Sequence, residues 1–167
     1  VPSCGTFTYE HLVCVSNQLG KMNALGMSAI AEAAVAGDVE ACREILAEDW
    51  CDVNIRDFFR RSPLIHAAMG GHAEVVQVLV EAGADLHCKD RAGWTALHWA
   101  AFEADAAMVE KLLALGADEN MEDDSGKTPR QVALIASKGR QSYRKDFSGV
   151  YRLLPLDDAP AAAAIAA

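Results

Sequence analysis

Histidine, cysteine and the acidic side chains are the residues of this 167-residue chain that could ligate a metal, attack a carbonyl or carry a proton. The spacings His66–His72 and His87–His98 do not set two ligands one helical turn apart, and no H-E-x-x-H occurs. The cysteines, Cys4, Cys14, Cys42, Cys51 and Cys88, are odd in number and scattered, without a C-x-x-C pair. That pattern fits neither a disulfide framework nor a zinc site. It reads as reduced thiols in the cytoplasm, with the nucleus as an alternative, and Cys42 falls on an apolar helix face where a thiol is buried. Glu122-Asp123-Asp124 reads as a solvated loop. Neither G-x-S-x-G nor G-x-x-x-x-G-K-[ST] is present. No catalytic residue, cofactor or metal ligand is assigned, and the chain is not expected to be an enzyme.

Charge and length narrow the classes further. The net charge is -9, which repels phosphate backbones at long range and disfavours nucleic acid as a partner. No stretch approaches the ~18 consecutive apolar residues of a membrane span, and VPSCGTFTYEHLVCVS lacks the regions of a secretory signal. Hydrophobic residues make up 51% of the chain, enough for a packed core. It begins with Val, so it reads as a fragment, a processed product or an engineered form, with Met22 or Met27 as natural starts.

What positions side chains here is a repeat. SPLIHAAMGGHAEVVQVLVEAGAD from Ser62 aligns with TALHWAAFEADAAMVEKLLALGAD from Thr95. The weaker SAIAEAAVAGDVEACREILAEDWCD starts at Ser28, and TPRQVALIA starts at Thr128, so successive starts lie 34, 33 and 33 residues apart. Ser or Thr opens each first helix as a cap, and Pro63 and Pro129 suit its first turn. The pairs Ala33-Ala34, Ala67-Ala68 and Ala100-Ala101 let helices approach closely. Gly37 and Gly71 end the first helix; the third unit has Ala104 there. Each second helix carries an apolar stripe at i, i+1, i+4, i+5, such as Val75, Val76, Leu79 and Val80. No unit can bury its stripe alone, but stacking hides it between neighbours.

DRAGWTALHWAA from Asp90 and GADEN from Gly116 resemble the ankyrin-repeat patterns D-x-x-G-x-T-P-L-H-x-A-A and G-A-D-x-N, over roughly residues 24–140. The resemblance implies an all-α solenoid of stacked helix-turn-helix units with short β-finger loops. We place units near 24–56, 57–89, 90–122 and 123–154, after a leader (1–23) without assigned structure and before a disordered tail (155–167). The first unit, with Ala31 and Asp49 off pattern, caps one end. The fourth, with Arg130 in a Leu position, caps the other through a helix expected from about Ser142 to Leu154. Tyr143, Phe147, Val150, Tyr151 and Leu154 share one face of that helix, and Lys138, Arg140, Arg144, Lys145 and Arg152 are its polar side.

The family implies a concave face where a protein or peptide partner docks. Its finger and inner-helix positions fall here on Phe58, Phe59, Arg61, Met69, Arg91, Trp94, Phe102, Glu103 and Lys127. An apolar cluster on a groove suggests a partner surface; cover by residues 1–23 is the rival reading. Trp99 and His66 are expected in the core and in a partly buried polar contact. His98 and His72 are implied to hydrogen-bond between loops, and Asn54 and Asn120 sit where some ankyrin proteins are hydroxylated. The function expected is a protein-binding module or scaffold, monomeric when alone; the alternative is a structural subunit or fragment of a larger protein or complex.

Overall fold

Eight helices are present among the residues that the computed structural model describes, 28–48, 51–138 and 145–154. They form four pairs: α1 (Ala29–Ala36) with α2 (Val39–Leu46), α3 (Pro63–Gly70) with α4 (Ala73–Glu81), α5 (Ala96–Glu103) with α6 (Ala106–Ala114), and α7 (Pro129–Lys138) with α8 (Ser148–Leu153). Local chemistry starts and stops them. Ser28 and Ser62 accept the amides of Ala31 and Ile65, each at 3.4 Å, and Asp38 and Asp105 accept those of Ala41 and Met108, each at 3.0 Å. Gly37, Gly71 and Ala104 close α1, α3 and α5 in the left-handed region, at φ 72°, 74° and 62°.

The first helices form an inner row in which α1 packs on α3, α3 on α5 and α5 on α7. Buried alanines, among them Ala34, Ala67, Ala100 and Ala133, fill those contacts and let backbones come close. The second helices carry Cys42, Val75, Leu79, Met108 and Leu112 into the core. The outer row is bulkier than the alanine-rich inner row, and the hollow side that the resemblance implies is that of the fingers and inner helices.

Between units the chain turns out into fingers. Each closes as a hairpin-like turn, Asp57 N–H to Arg61 O at 3.1 Å, Asp90 to Trp94 at 2.9 Å and Asp123 to Lys127 at 2.9 Å. No strand is assigned among the described residues. Single backbone bonds join the tips, from Arg91 N–H to Phe59 O at 3.0 Å and from Asp124 N–H to Ala92 O at 3.2 Å.

Histidines tie neighbouring units as the resemblance implied. His98 Nδ1 accepts the Thr95 amide at 3.2 Å and lies 2.9 Å from the Thr95 hydroxyl, so Nε2 carries the proton and donates to Lys127 O at 3.0 Å. His72 Nε2 lies 3.1 Å from Val35 O of the preceding unit. Cys42 is fully buried, as expected, and burial pushes its thiol up to about 11. Cys42, Cys51 and Cys88 are free thiols.

The last helix is shorter than the pattern predicts. It begins at Ser148, not Ser142, because the Asp146 carboxylate accepts the Ser148 amide at 2.9 Å and starts the helix there. Lys145–Phe147 are not helical. The apolar face stands: Phe147, Val150 and Leu154 are buried, and the Tyr151 hydroxyl donates to Ser137 Oγ at 2.9 Å. Arg130, in a Leu position, reaches the Tyr151 carbonyl at 3.0 Å and the Leu154 carbonyl, satisfying the end of α8. The leader, Tyr143, Arg140, Arg144, Asp49, Cys4, Cys14 and the tail lie outside the described residues.

Two outcomes follow from these contacts. A Cβ on Gly149 would lie 2.6 Å from the Ala106 Cβ, where α8 meets α6. Gly149→Ala is expected to cost about 1–2 kcal/mol, overpacking less the helical gain from removing a glycine, and Gly149→Ala with Ala106→Gly is expected to recover most of it in urea unfolding. The second concerns pH. Burial holds His66 and His98 below the ordinary 6.5, against the pull of the Asp57 hydrogen bond on His66 and of the Lys127 carbonyl on His98. The unfolded chain then binds these protons more readily. Their contribution is complete above pH 6.5 and declines as pH falls below it. Unfolding free energies at pH 7.5, 6.5 and 5.5 should decrease in that order; a flat series would contradict the assignment.

Candidate partner-binding face

A buried aspartate at the root of each finger sets the geometry of this face. Asp57 Oδ1 accepts the amides of Phe59 and Arg61, each at 2.8 Å. Asp90 Oδ1 accepts those of Ala92 at 2.8 Å and Trp94 at 2.9 Å, and Asp123 Oδ1 those of Ser125 at 2.8 Å and Lys127 at 2.9 Å. The second oxygen meets a ring N–H: His66 on Asp57 at 3.0 Å, Trp99 on Asp90 at 3.1 Å, and Trp94 on Asp123 at 3.1 Å. In the fourth unit the His66 and Trp99 position holds Val132, which has no donor, so the indole of the preceding finger takes its place. Burial raises the Asp123 pKa, but the Lys127 and Ser125 amides and the Trp94 indole outweigh it and hold the carboxyl below 3.8.

These anchors line up rings and cations across three units. The Arg61 guanidinium lies 5.2 Å from the Phe59 ring and 5.0 Å from the Trp99 ring. Trp99 meets Trp94 edge-on at 4.7 Å, and Trp94 tilts against Phe102 at 5.3 Å. Lys145 stands 5.6 Å over Phe102 and pairs with Glu103.

Two depressions flank Trp94. The larger, about 490 Å³, has Trp94, Phe102, Val132, Ile135 and Phe147 as its apolar lining, with Lys127 and Lys145 among its polar residues. The smaller, about 270 Å³, lies among Phe59, Arg61, Arg91, Trp94 and Trp99.

The structure brings most of the expected positions together. Phe58 and Phe59 are exposed, at 66% and 46%, and Arg91 is exposed beside them. Arg61, Trp94, Phe102, Glu103 and Lys127 are half-buried along the same face. Met69 packs partly against the core and lines neither depression. Trp99, expected in the core, is half-buried: it packs against the core and also joins the ring ladder, its indole N–H held by Asp90 at the finger root. His66, in the same position one unit earlier, is buried on Asp57. Ile135, at the inner-helix position of the fourth unit, falls on the groove as the register implies, whereas Val132, Lys145 and Phe147 were not among the expected contacts; α7 and the segment leading into α8 carry them in. Arg60 was also missed. It holds the left-handed position, φ 61°, that Gly93 and Gly126 hold in the next fingers. Aligning the D-x-x-G turns exposes that substitution.

Among the described residues no helix is long and apolar enough to cross a membrane, and no group of three His, Cys, Asp or Glu side chains is placed to hold a metal. A comparison with curated proteins returned no match. The family model for ankyrin repeats (3 copies) matches twice, over residues 7–90 and 30–124. Those matches cover more than half of a chain whose helix pairs, left-handed helix ends and finger-root aspartates repeat with the same period, and the chain therefore belongs to the ankyrin-repeat family.

Proposed function

We propose that this chain is a binding module that takes a protein or peptide segment on its hollow face, without catalysis of its own. The ladder of Phe59, Arg61, Trp99, Trp94 and Phe102 beside the 490 Å³ groove carries the reading. Rings and arginines in a half-open row are what interface cores enrich. They are also held rigid. Each finger is locked by its aspartate, and Trp94 and Trp99 are fixed at both the ring and the indole N–H, so little side-chain entropy is lost on docking. A specific contact buries about 800 Å² on each partner, an area that adjacent fingers and inner helices supply together. On the odd, scattered set of cysteines in the sequence we place the module in a reducing compartment, the cytoplasm or nucleus.

Trp94 is a poor probe of this reading, because its indole also satisfies Asp123 and its removal would loosen the fourth finger. Phe58 and Phe59 are better: both are exposed, and the Phe59 ring meets Arg61 without satisfying a buried carboxylate. Chemical cross-linking and affinity purification from the native source should enrich a protein with the wild-type chain. Phe58→Ala with Phe59→Ala is expected to weaken that capture by about 30-fold or more, the loss of one hot spot, with an unchanged melting curve. Full retention by the double variant would refute the assignment of this face.

A further inference from the structure

Granting that the hollow face binds a partner segment, we infer that the segment is an acidic peptide bearing one large apolar anchor side chain. The anchor occupies the groove among Trp94, Phe102 and Ile135, and a carboxylate beside it meets Arg61.

The charge of the face runs against that of the chain. The net charge is -9, and Glu40, Glu44, Glu74, Glu81 and Glu110 stand exposed on the outer helices. The tips of the second and third fingers, residues 58–61 and 91–94, instead hold Arg60, Arg61 and Arg91 and no carboxylate. The root aspartates, Asp57 and Asp90, are buried and have both oxygens engaged. On the fourth finger the exposed Asp124 lies against Gly93 of the third, so the unopposed positive charge is that of Arg60 and Arg61 on the second finger, with Arg91 beside them, and an acidic ligand is steered there.

Arg61 is prepared for one carboxylate. Its guanidinium is held between the rings of Phe59 and Trp99, with the side chain 25% exposed. Its Nε is buried in an ion pair with Asp90 Oδ2 at 4.0 Å, without a hydrogen bond, so it is the exposed remainder of the side chain that a visiting carboxylate meets. A planar fork of donors fixed between two rings suits a carboxylate better than a point cation does. Arg60 adds to this. The second finger keeps a non-glycine residue at φ 61° where its neighbours use glycine, and the local turn gains nothing from it. What the finger gains is a further exposed cation beside Phe59.

The anchor site lies on the other side of Trp94. It is apolar in its lining, about 490 Å³ in volume, and opens past Ile135, itself 55% exposed. That volume accommodates a leucine, isoleucine or aromatic side chain with its flanking backbone. Lys127, at the rim, offers a second cation to an acidic neighbour.

Selection of random twelve-residue peptides on the full chain, followed by fluorescence anisotropy with the synthetic winners, tests this. Winners should combine Asp or Glu with a Leu, Ile, Phe or Trp. Changing the critical Asp to Asn should cost roughly 10-fold in affinity on the wild type and little on Arg61→Gln, the non-additivity of a direct charged pair. Ile135→Asp should abolish binding. Arg60→Gly should weaken binding while raising the melting temperature. Winners that are basic or uncharged, yet still require Phe59 and Ile135, would overturn the acidic-peptide inference and leave the hollow-face reading standing. Winners indifferent to both Phe59→Ala and Ile135→Asp would overturn both. A chain that dimerises through Ile135, or tight single-stranded RNA binding, would each overturn the inference of an acidic partner peptide.

Discussion

A carboxylate buried at the base of a finger has to be satisfied several times over, and in this stack that requirement organises the surface. Asp57, Asp90 and Asp123 each hold two backbone amides of their own finger on one oxygen and a ring N–H on the other. An unpaired buried carboxylate would be strongly destabilising. The pairing rigidifies the turn and also dictates where a large ring must lie. Changing the residue one turn into the next helix, from His66 to Trp99 to Val132, changes which ring answers the aspartate. Because Val132 cannot donate, Trp94 reaches across to Asp123 and becomes the wall shared by both depressions. The binding surface is thus a by-product of how three identical buried charges are neutralised by non-identical neighbours.

The helices supply the frame that makes those fingers parallel. Alanines on the inner row set the close approach between α1, α3, α5 and α7, and larger side chains on the outer row fill the core behind them. Histidines bridge units at the level of the loops, where His98 serves its own helix cap and the next finger at once. The open end is closed by a short helix. Gly149 lets α8 settle on Ala106, and Arg130, which breaks the apolar pattern of its helix, is repurposed to hold the α8 carbonyls. A charged residue in an apolar slot would be a defect between two like repeats; in the fourth unit it faces the carbonyls of α8 and bonds them.

Rigidity and openness occur together on the hollow face. Its rings are held by hydrogen bonds and ring contacts to one another, while Phe58, Phe59 and Ile135 remain exposed at its edges. A groove that is apolar in its lining, cationic at its tips and fixed before binding spends little ordering entropy on its ligand. The same arrangement argues for discrimination by charge as well as shape, since a basic segment would meet Arg60 and Arg61 on the second finger, whose tip holds no carboxylate.

The repeat register, the caps, the apolar stripes and the histidine bridges were legible in the residue order. They arise from interactions a few residues apart or one period apart, and a period of 33 or 34 residues writes them into the chain repeatedly. The same register found Phe59, Arg61, Trp94 and Phe102, because finger and inner-helix positions follow from the count. It did not find the groove. Lys145 and Phe147 lie more than forty residues from Glu103 and Phe102, and they come together because α8 folds back on α6, a non-periodic event at the end of the stack. Nor could the order of residues decide that Trp99 serves the face as well as the core. That depended on the nearest unsatisfied acceptor, Asp90, whose position exists once the finger has closed. Local and periodic contacts are encoded where they are read, whereas contacts between the last repeat and its neighbours, and the partners of buried charges, are settled by packing.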